Sequence, residues 1–227
     1  MYYCFLDLEC TCGFYGEYLK KERYCGEPLS LGIAILNSKM KIVDSFYTTI
    51  KPYRFPVVTK FCRKLTGLTQ ADIDNAPSTG EVCTELETIF EKYHIEEIYV
   101  YGNNDKKSLL DAAEQFAKNF PPTTDKIAHL HSIILVASKI VDISSDLQLA
   151  IKYKHKPSLE AFSELLKLKK NSASFHNALY DAKMLAMIYA AIYGNGKSHQ
   201  VFLEYLKSLP EKNDAEIKKT EETHENQ

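Results

Sequence analysis

The chain begins with an apolar strand that carries two acids. Residues 2–9, YYCFLDLE, are apolar or aromatic except for Asp7 and Glu9, which is typical of a strand inside a sheet. Alternate residues of a strand point to the same face, so the two acids project together, about 6.5–7 Å apart. Such a pair is unfavourable unless one acid is protonated or a cation lies between them. The pattern indicates either a solvated strand end or a site for a hard divalent ion such as Mg²⁺.

Further along the chain, β-rich and helical segments alternate. The runs LSLGIAILN and MKIVDSFYTTIK meet at NSK, which is typical of a hairpin. A short strand is predicted in EEIYVYG, and another near 139–142, within a stretch (127–153) whose period is ambiguous. Apolar spacing and capping residues predict helices over 78–94, 107–120, 158–168 and 177–194. This order predicts a mixed α/β fold with an antiparallel front, followed by strands that alternate with helices.

Charge and composition limit the classes of protein that this chain can belong to. Residues 210–227 contain six acids, three bases and almost no apolar residues, so we expect a disordered tail after one domain over 1–209. Without the tail, the net charge is about +1, from −2 for the whole chain and −3 for the tail. A protein that coats nucleic acid by bulk charge is therefore not expected. No apolar run reaches the roughly 18 residues of a membrane helix, so no membrane partner is expected.

The six cysteines do not resemble a disulfide framework. We see no export signal at the N-terminus, so we expect reduced thiols and a cytoplasmic location. CTC at 10–12, together with Cys25, could supply three zinc ligands. A C-x-C pattern without a second matching pair indicates zinc only weakly, and small buried thiols are the favoured interpretation.

Two further stretches carry candidate acids. Asp105 follows a β-run and a Gly-Asn-Asn turn at the start of a predicted helix, where a lone acid often complements the helix dipole. His176 precedes or opens the last predicted helix, and Asp181 follows five residues later. Five residues span about 140° around a helix, so the two side chains reach one site only if His176 lies in the preceding loop.

The order of these stretches resembles a known family. DLE, YGNNDKKSLL and HNALYDA match the spaced motifs of the DEDDh 3′→5′ exonucleases of the DnaQ-like superfamily, over roughly residues 2–193. EPLSLGIAIL stands where that family has its second strand motif. DLECTC and FCRKLTGLTQ are most similar to the branch with the histone-mRNA 3′ exonuclease and the KapD-type bacterial proteins. Tyr101, where the family often has Trp, and the long Tyr- and Lys-rich loop 12–27 depart from the pattern.

The resemblance implies a fold, cofactors and a mechanism. The fold would be the RNase H-like exonuclease fold, a mixed five-stranded sheet flanked by helices, with three antiparallel strands followed by two parallel ones. Two Mg²⁺ or Mn²⁺ ions would be bound by four acids: Asp7 would bridge both, Glu9 and Asp181 would complete one site, and Asp105 would hold the other, partly through water. His176 would act as the general base that activates the attacking water.

Family analogy also implies residues that contact the substrate. The sugar of the terminal nucleotide would lie against Leu8, Cys10 and Thr11, and its base would be covered by Leu65, Thr66 and Gly67. Phe14 and Tyr15 are stacking candidates or plain packing residues. The basic runs at 152–156 and 19–23 are candidate phosphate contacts or solvated charge.

These features favour one function and leave rivals open. The favoured function is release of nucleoside 5′-monophosphates from the free 3′ end of single-stranded nucleic acid, and the branch resemblance favours RNA. A DNA exonuclease of proofreading or repair type would use the same acids, because a 2′-hydroxyl contact is not readable from motifs. A non-catalytic nucleic-acid-binding module is less favoured, since all four acids and the histidine are present.

Overall fold

The computed structural model describes residues 1–12, 26–119, 121–168 and 176–209. Within them, strands and helices follow one another as the sequence predicts over most of the chain. The strands are β1 (Tyr2–Cys10), β2 (Pro28–Asn37), β3 (Ile42–Thr49), β4 (Ile98–Val100) and β5 (Ile140–Asp142). The helices are α1 (Lys60–Thr66), α2 (Gln70–Asp74), α3 (Thr79–Tyr93), α4 (Asn104–Asn119), α5 (Thr124–Lys139), α6 (Ser144–Ala150), α7 (Leu159–Leu165), α8 (Ala178–Tyr193) and α9 (Lys197–Ser208).

The five strands form one mixed sheet in the order β3-β2-β1-β4-β5. The pairs β3–β2 and β2–β1 are antiparallel, whereas β1–β4 and β4–β5 are parallel. This confirms the sheet expected for an RNase H-like exonuclease fold. Because β1, β4 and β5 are parallel, their carboxyl ends meet at one edge, which is where open α/β sheets place functional groups.

The central strand is apolar because both of its faces are covered. Cys4, Leu6 and Leu8 point into a core shared with α3, α4 and α5. Phe5 points into a second core, formed chiefly with α8. Both sets are buried, so β1 approaches its carboxyl end, and its two acids, through a fully packed interior.

Helix α8 packs directly against the middle of the sheet. Gly32 of β2 is the register partner of Asp7, and a Cβ atom there would lie 2.3 Å from backbone atoms of Ala178 and Leu179. Only glycine permits this approach. The helix begins at N-cap Asn177, whose side chain accepts a hydrogen bond from the N–H of Tyr180. The first turn of α8 is therefore held against β2, beside the end of β1.

Several helices begin at the residues that the sequence predicts, and one, α9, was not predicted. Ser78 caps α3 in a capping box with Glu81, and Ser158 caps α7. The ambiguous stretch 127–153 lies mainly in α5, β5 and α6. Helix α9 was missed; it is amphipathic, buries Phe202 and packs on α8.

Some sequence predictions fall outside the described residues. They concern the tail over 210–227, the stacking candidates Phe14 and Tyr15, the basic run 19–23, and Cys25. The cysteines that the structure does describe are free thiols. In the described part of the chain, no helix combines the length and apolarity needed to cross a membrane.

Candidate active site

Three of the four predicted acids meet at the carboxyl edge of the sheet. Asp7 and Glu9 come from the end of β1, and Asp181 from the first turn of α8. One carboxylate oxygen from each acid lies within 4.8 Å of the others. Glu9 and Asp181 are buried and Asp7 is partly buried. The structure thus brings together acids that are more than 170 residues apart in sequence.

The fourth acid, Asp105, contacts the same strand from the neighbouring side. It lies in the first turn of α4, is buried, and its Oδ1 accepts a hydrogen bond of 3.0 Å from the N–H of Leu8. Leu8 is the residue between Asp7 and Glu9. Asp105 is not part of the three-acid group within 4.8 Å, an arrangement compatible with the expectation that it binds a metal partly through water.

The crowding of four carboxylates in a buried place raises their pKa values. Burial and then the charges of the other three acids raise the pKa of Asp7 well above its ordinary value. Burial, followed by the charges of Asp181 and Asp105, raises the pKa of Glu9 to about 8. Burial also raises the pKa of Asp105 to about 7 and that of Asp181 to about 6. Such a site favours bound protons or bound cations.

His176 lies in the turn before α8, as convergence with Asp181 requires. Its backbone has a φ of 66°, and its N–H donates to Oδ2 of Asp181 at 3.0 Å. That hydrogen bond lowers the pKa of Asp181, against the larger effect of burial. The residue as a whole is exposed. The structure therefore fixes the His176 backbone at the acids, at an exposed position of the chain.

The donor set fits a hard divalent cation. The three clustered acids offer only oxygen ligands, which Mg²⁺ and Mn²⁺ prefer. Oδ1 of Asp181 is buried and has no hydrogen-bond partner among the described residues, although buried carboxylate oxygens normally have one. The unpartnered oxygen and the raised pKa values both point to a cation as the missing partner.

Asp142 supports the site and was not singled out from the sequence. Its Oδ1 accepts hydrogen bonds from the N–H groups of Gly102, at 2.8 Å, and Ser144, at 2.9 Å. It therefore ties the turn before Asp105 to the start of α6. Its position as the last residue of β5 is the signal that could have identified it, since β1 ends in acids at the same edge.

Tyr101 takes the place of the family's tryptophan and is firmly packed. Its hydroxyl donates to the carbonyl of Pro157 at 2.5 Å, and its ring packs edge-on against Phe162. Nζ of Lys156 lies 4.8 Å from the centre of the same ring. The charge of Lys156 lowers the pKa of Asp105. One lysine of the basic run 152–156 is thus directed towards the site.

The segments expected to contact the terminal nucleotide lie side by side. Thr11 exchanges hydrogen bonds with the backbone of Glu27: its N–H donates to the Glu27 carbonyl and its Oγ1 accepts from the Glu27 N–H. Helix α1 is attached to the end of β1, because the Thr59 hydroxyl donates to the carbonyl of Cys12 at 2.7 Å. The other residues expected to contact the nucleotide lie in the same two segments. At the end of β1, Leu8 is buried and the Cys10 thiol lies near the Ser108 hydroxyl. At the end of α1, Leu65 is exposed, the Thr66 hydroxyl donates to the Cys62 carbonyl, and Gly67 is the C-cap.

Comparison with known proteins defines the class. The family model described as Exonuclease (RNase_T) matches residues 4–189, so the chain belongs to this exonuclease family. The structure is similar to the nuclease domain of 3'hExo, described as a DEDDh family member bound to rAMP. The TM-score is 0.64 at 21% identity, covering 82% of this chain and 88% of that chain. This likeness shows the RNase H-like exonuclease fold.

Curated relatives refine the resemblance. Over 122 residues, the chain is 30% identical to the Homo sapiens protein ERI1 exoribonuclease 3. This stretch makes up 51% of this chain and 34% of that protein. It is 29% identical over 98 residues to the 3'-5' exonuclease eri1 of Schizosaccharomyces pombe, covering 40% and 30%. The matches thus span about a third of the length of these relatives.

Proposed function

We propose that this chain is a divalent-metal-dependent 3′→5′ exonuclease that releases nucleoside 5′-monophosphates from single-stranded nucleic acid, with RNA favoured. The observation that carries the proposal is the convergence of the carboxylates of Asp7, Glu9 and Asp181. Asp105 joins them through its hydrogen bond to the backbone N–H of the intervening Leu8. Membership of the exonuclease family supports the same reaction. Residues 1–209 would form the catalytic unit, and the protein would act in the cytoplasm.

The four acids would hold two Mg²⁺ or Mn²⁺ ions. Asp7 would serve both ions, Glu9 and Asp181 one of them, and Asp105 the other, partly through water. When bound, such ions supply the Lewis acidity that makes water nucleophilic near neutral pH and stabilises charge on phosphate oxygens. Burial raises the pKa values of the acids, and bound cations would favour their ionised forms.

His176 would act as the general base. Its backbone hydrogen bond to Asp181 keeps the residue next to the acids, and its exposure leaves the imidazole accessible to an incoming 3′ end. An imidazole titrates near neutrality and can therefore accept the proton of the attacking water and release it to solvent.

The terminal nucleotide would lie between the end of β1 and the end of α1. The backbone and side chains of Leu8, Cys10 and Thr11 would line the sugar pocket, with Leu8 contributing its backbone because its side chain points into the core. A second set, Leu65, Thr66 and Gly67, would cover the base. The contact between Thr59 and Cys12 supports this arrangement because it joins the two segments. The preference for RNA rests on the branch resemblance of the sequence and on the Homo sapiens relative, which is named as an exoribonuclease.

The experiment that tests this function compares matched RNA and DNA. Single strands of one sequence, labelled at the 5′ end, are incubated with the protein in Mg²⁺, in Mn²⁺ and in EDTA. We expect progressive shortening from the 3′ end, release of nucleoside 5′-monophosphates, faster loss of RNA, and no reaction in EDTA. Faster loss of DNA would overturn the RNA preference, and no loss of either strand would indicate a non-catalytic module.

A further inference from the structure

Two adjoining cavities lie at the amino-terminal edge of the parallel strands, opposite the edge that carries the acids. One has a volume of about 420 Å³ and the other of about 370 Å³, and they share His94 and Glu96. We call this surface the tyrosine–glutamate groove. Tyr2 of the groove and Asp7 of the candidate active site are five positions apart on β1, which is roughly 16 Å. The groove is therefore a separate place on the molecule.

Tyrosine rings from both faces of the sheet meet in the groove. Tyr2 packs edge-on against Tyr93, with ring centres 5.0 Å apart, and is 41% exposed. On the other face, the Tyr99 hydroxyl donates to Oε2 of Glu97 at 3.1 Å. Ring faces attract guanidinium and ammonium groups. Nζ of Lys92 already lies 4.6 Å from the centre of the Tyr93 ring.

Carboxylates outnumber cationic groups along the groove. The cationic groups that line it are the terminal amino group at Met1 and Lys139, whose Nζ donates to the carbonyl of Ile95. Lys92, over the Tyr93 ring, is paired with Asp44 outside the groove. Oε1 of Glu87 is buried and has no hydrogen-bond partner among the described residues. In the described part of the chain, no ion pair joins a lysine or arginine to the four lining acids, Glu87, Glu91, Glu96 and Glu97.

We propose that the tyrosine–glutamate groove binds an arginine side chain presented by a peptide segment of a partner protein. A guanidinium group is planar, stacks on aromatic rings, and offers a fork of donors that matches a carboxylate. The groove therefore contains both of the features that this side chain recognises. Binding here would recruit the nuclease to a partner while the opposite edge of the sheet stays open to substrate.

The negative charge of the groove argues against two other occupants, nucleic acid and the chain's own acidic C-terminal segment. The phosphates of a nucleic acid would face four carboxylates and be repelled. The chain's own residues 210–227, with six acids and three bases, would be repelled in the same way.

The test uses a short capped peptide of alternating glycine and arginine, fluorescently labelled, and a twin with citrulline in place of arginine. Citrulline keeps the shape and loses the charge. The full chain is titrated into each peptide in saturating Mg²⁺, so that the acids of the candidate active site do not compete, and anisotropy reports binding. We expect the arginine peptide to bind at least ten-fold more tightly than its twin.

Variants locate the binding. The double substitution Glu96→Gln/Glu97→Gln, at exposed positions, should weaken arginine-peptide binding at least ten-fold and leave RNA degradation unchanged. The matched control, Glu85→Gln/Glu204→Gln, also at exposed positions, should bind like the wild type. Equal binding of the citrulline twin, or equal effects of the two double substitutions, would overturn the inference. Selective binding without nuclease activity would remove only the proposed function.

Discussion

A Cβ atom on Gly32 would lie 2.3 Å from the carbonyl carbon of Ala178, so β2 and the first turn of α8 touch backbone to backbone. Gly32 is also the register partner of Asp7. This close approach therefore sets the separation between the acids of β1 and Asp181 of α8. A residue with no side chain thus determines whether the acids can share a cation.

We expect Gly32→Ala to push the start of α8 away from the sheet. Overpacking of this kind costs about 1–3 kcal/mol of stability, and the displaced Asp181 should weaken stabilisation by Mn²⁺. Urea unfolding with and without Mn²⁺ measures both effects. Gly196→Ala is the matched control, because a Cβ there meets nothing within 4 Å. Wild-type stability and metal response in Gly32→Ala would refute this role.

His176→Ala distinguishes the role of the imidazole from that of the backbone N–H, because it removes only the side chain. The N–H that donates to Asp181 survives the substitution, so Mn²⁺ should raise the melting temperature as it does in the wild type. Loss of a general base typically lowers kcat by about 10²–10⁴-fold, and we expect a loss in this range on RNA. His131→Ala, at an exposed position on α5, is the control. Unchanged kcat in His176→Ala would rule the imidazole out as the base.

Asp142 should act by positioning the turn before Asp105. Asp142→Ala leaves the N–H groups of Gly102 and Ser144 without their acceptor, and we expect a loss of about 1–3 kcal/mol of stability together with a lower kcat. Asp142→Asn keeps an oxygen that can accept both hydrogen bonds, so it should retain most of the stability. Chemical unfolding and single-turnover kinetics compare the two variants. Equal losses in both variants would show that the charge, and not the acceptor, matters, and wild-type behaviour in both would contradict the positioning role.

The metal-free protein should lose stability as the pH rises. Folding raises the pKa of Glu9 from 4.5 to about 8, so between these values the folded protein keeps a proton that the unfolded chain releases. Raising the pH through this window therefore favours unfolding. Melting temperatures in EDTA from pH 5 to 8 test this, with Glu9→Gln as the comparison. We expect a flatter profile for Glu9→Gln; profiles of equal slope would contradict the shift.

Much of the fold could be predicted because local patterns and tertiary packing agree. The continuous apolar run of β1 is buried on both faces, and Ser78 and Ser158 cap the helices that their positions predict. Helix α5 was ambiguous for a physical reason: Ile127 and Ile134 are exposed, which blurs its apolar face. Helix α9 was missed although its sequence is amphipathic, so the pattern was present and was overlooked.

Part of the candidate site could likewise be predicted from local sequence patterns, and part of it could not. Asp7 and Glu9 could be paired from strand geometry alone, since alternate residues share a face. The partners of these acids depend on contacts across the chain, such as that between Leu8 and Asp105, 97 residues apart. The tie from Asp142 to Gly102 is also long-range, and no local pattern predicts it. Motif resemblance supplied what local physics could not, namely the grouping of Asp105 and Asp181 with the first strand.

The most direct test of the proposed exonuclease site is the rate at which nucleoside 5′-monophosphate is released from the 3′ end of single-stranded RNA in Mg²⁺. Wild type, Asp7→Asn and Asp181→Asn are compared, with far-ultraviolet circular dichroism as the control for folding. We expect the wild type to shorten the RNA stepwise and both folded variants to be inactive. Wild-type rates in either variant, or release by the wild type that continues in EDTA, would contradict a metal-dependent site at these acids.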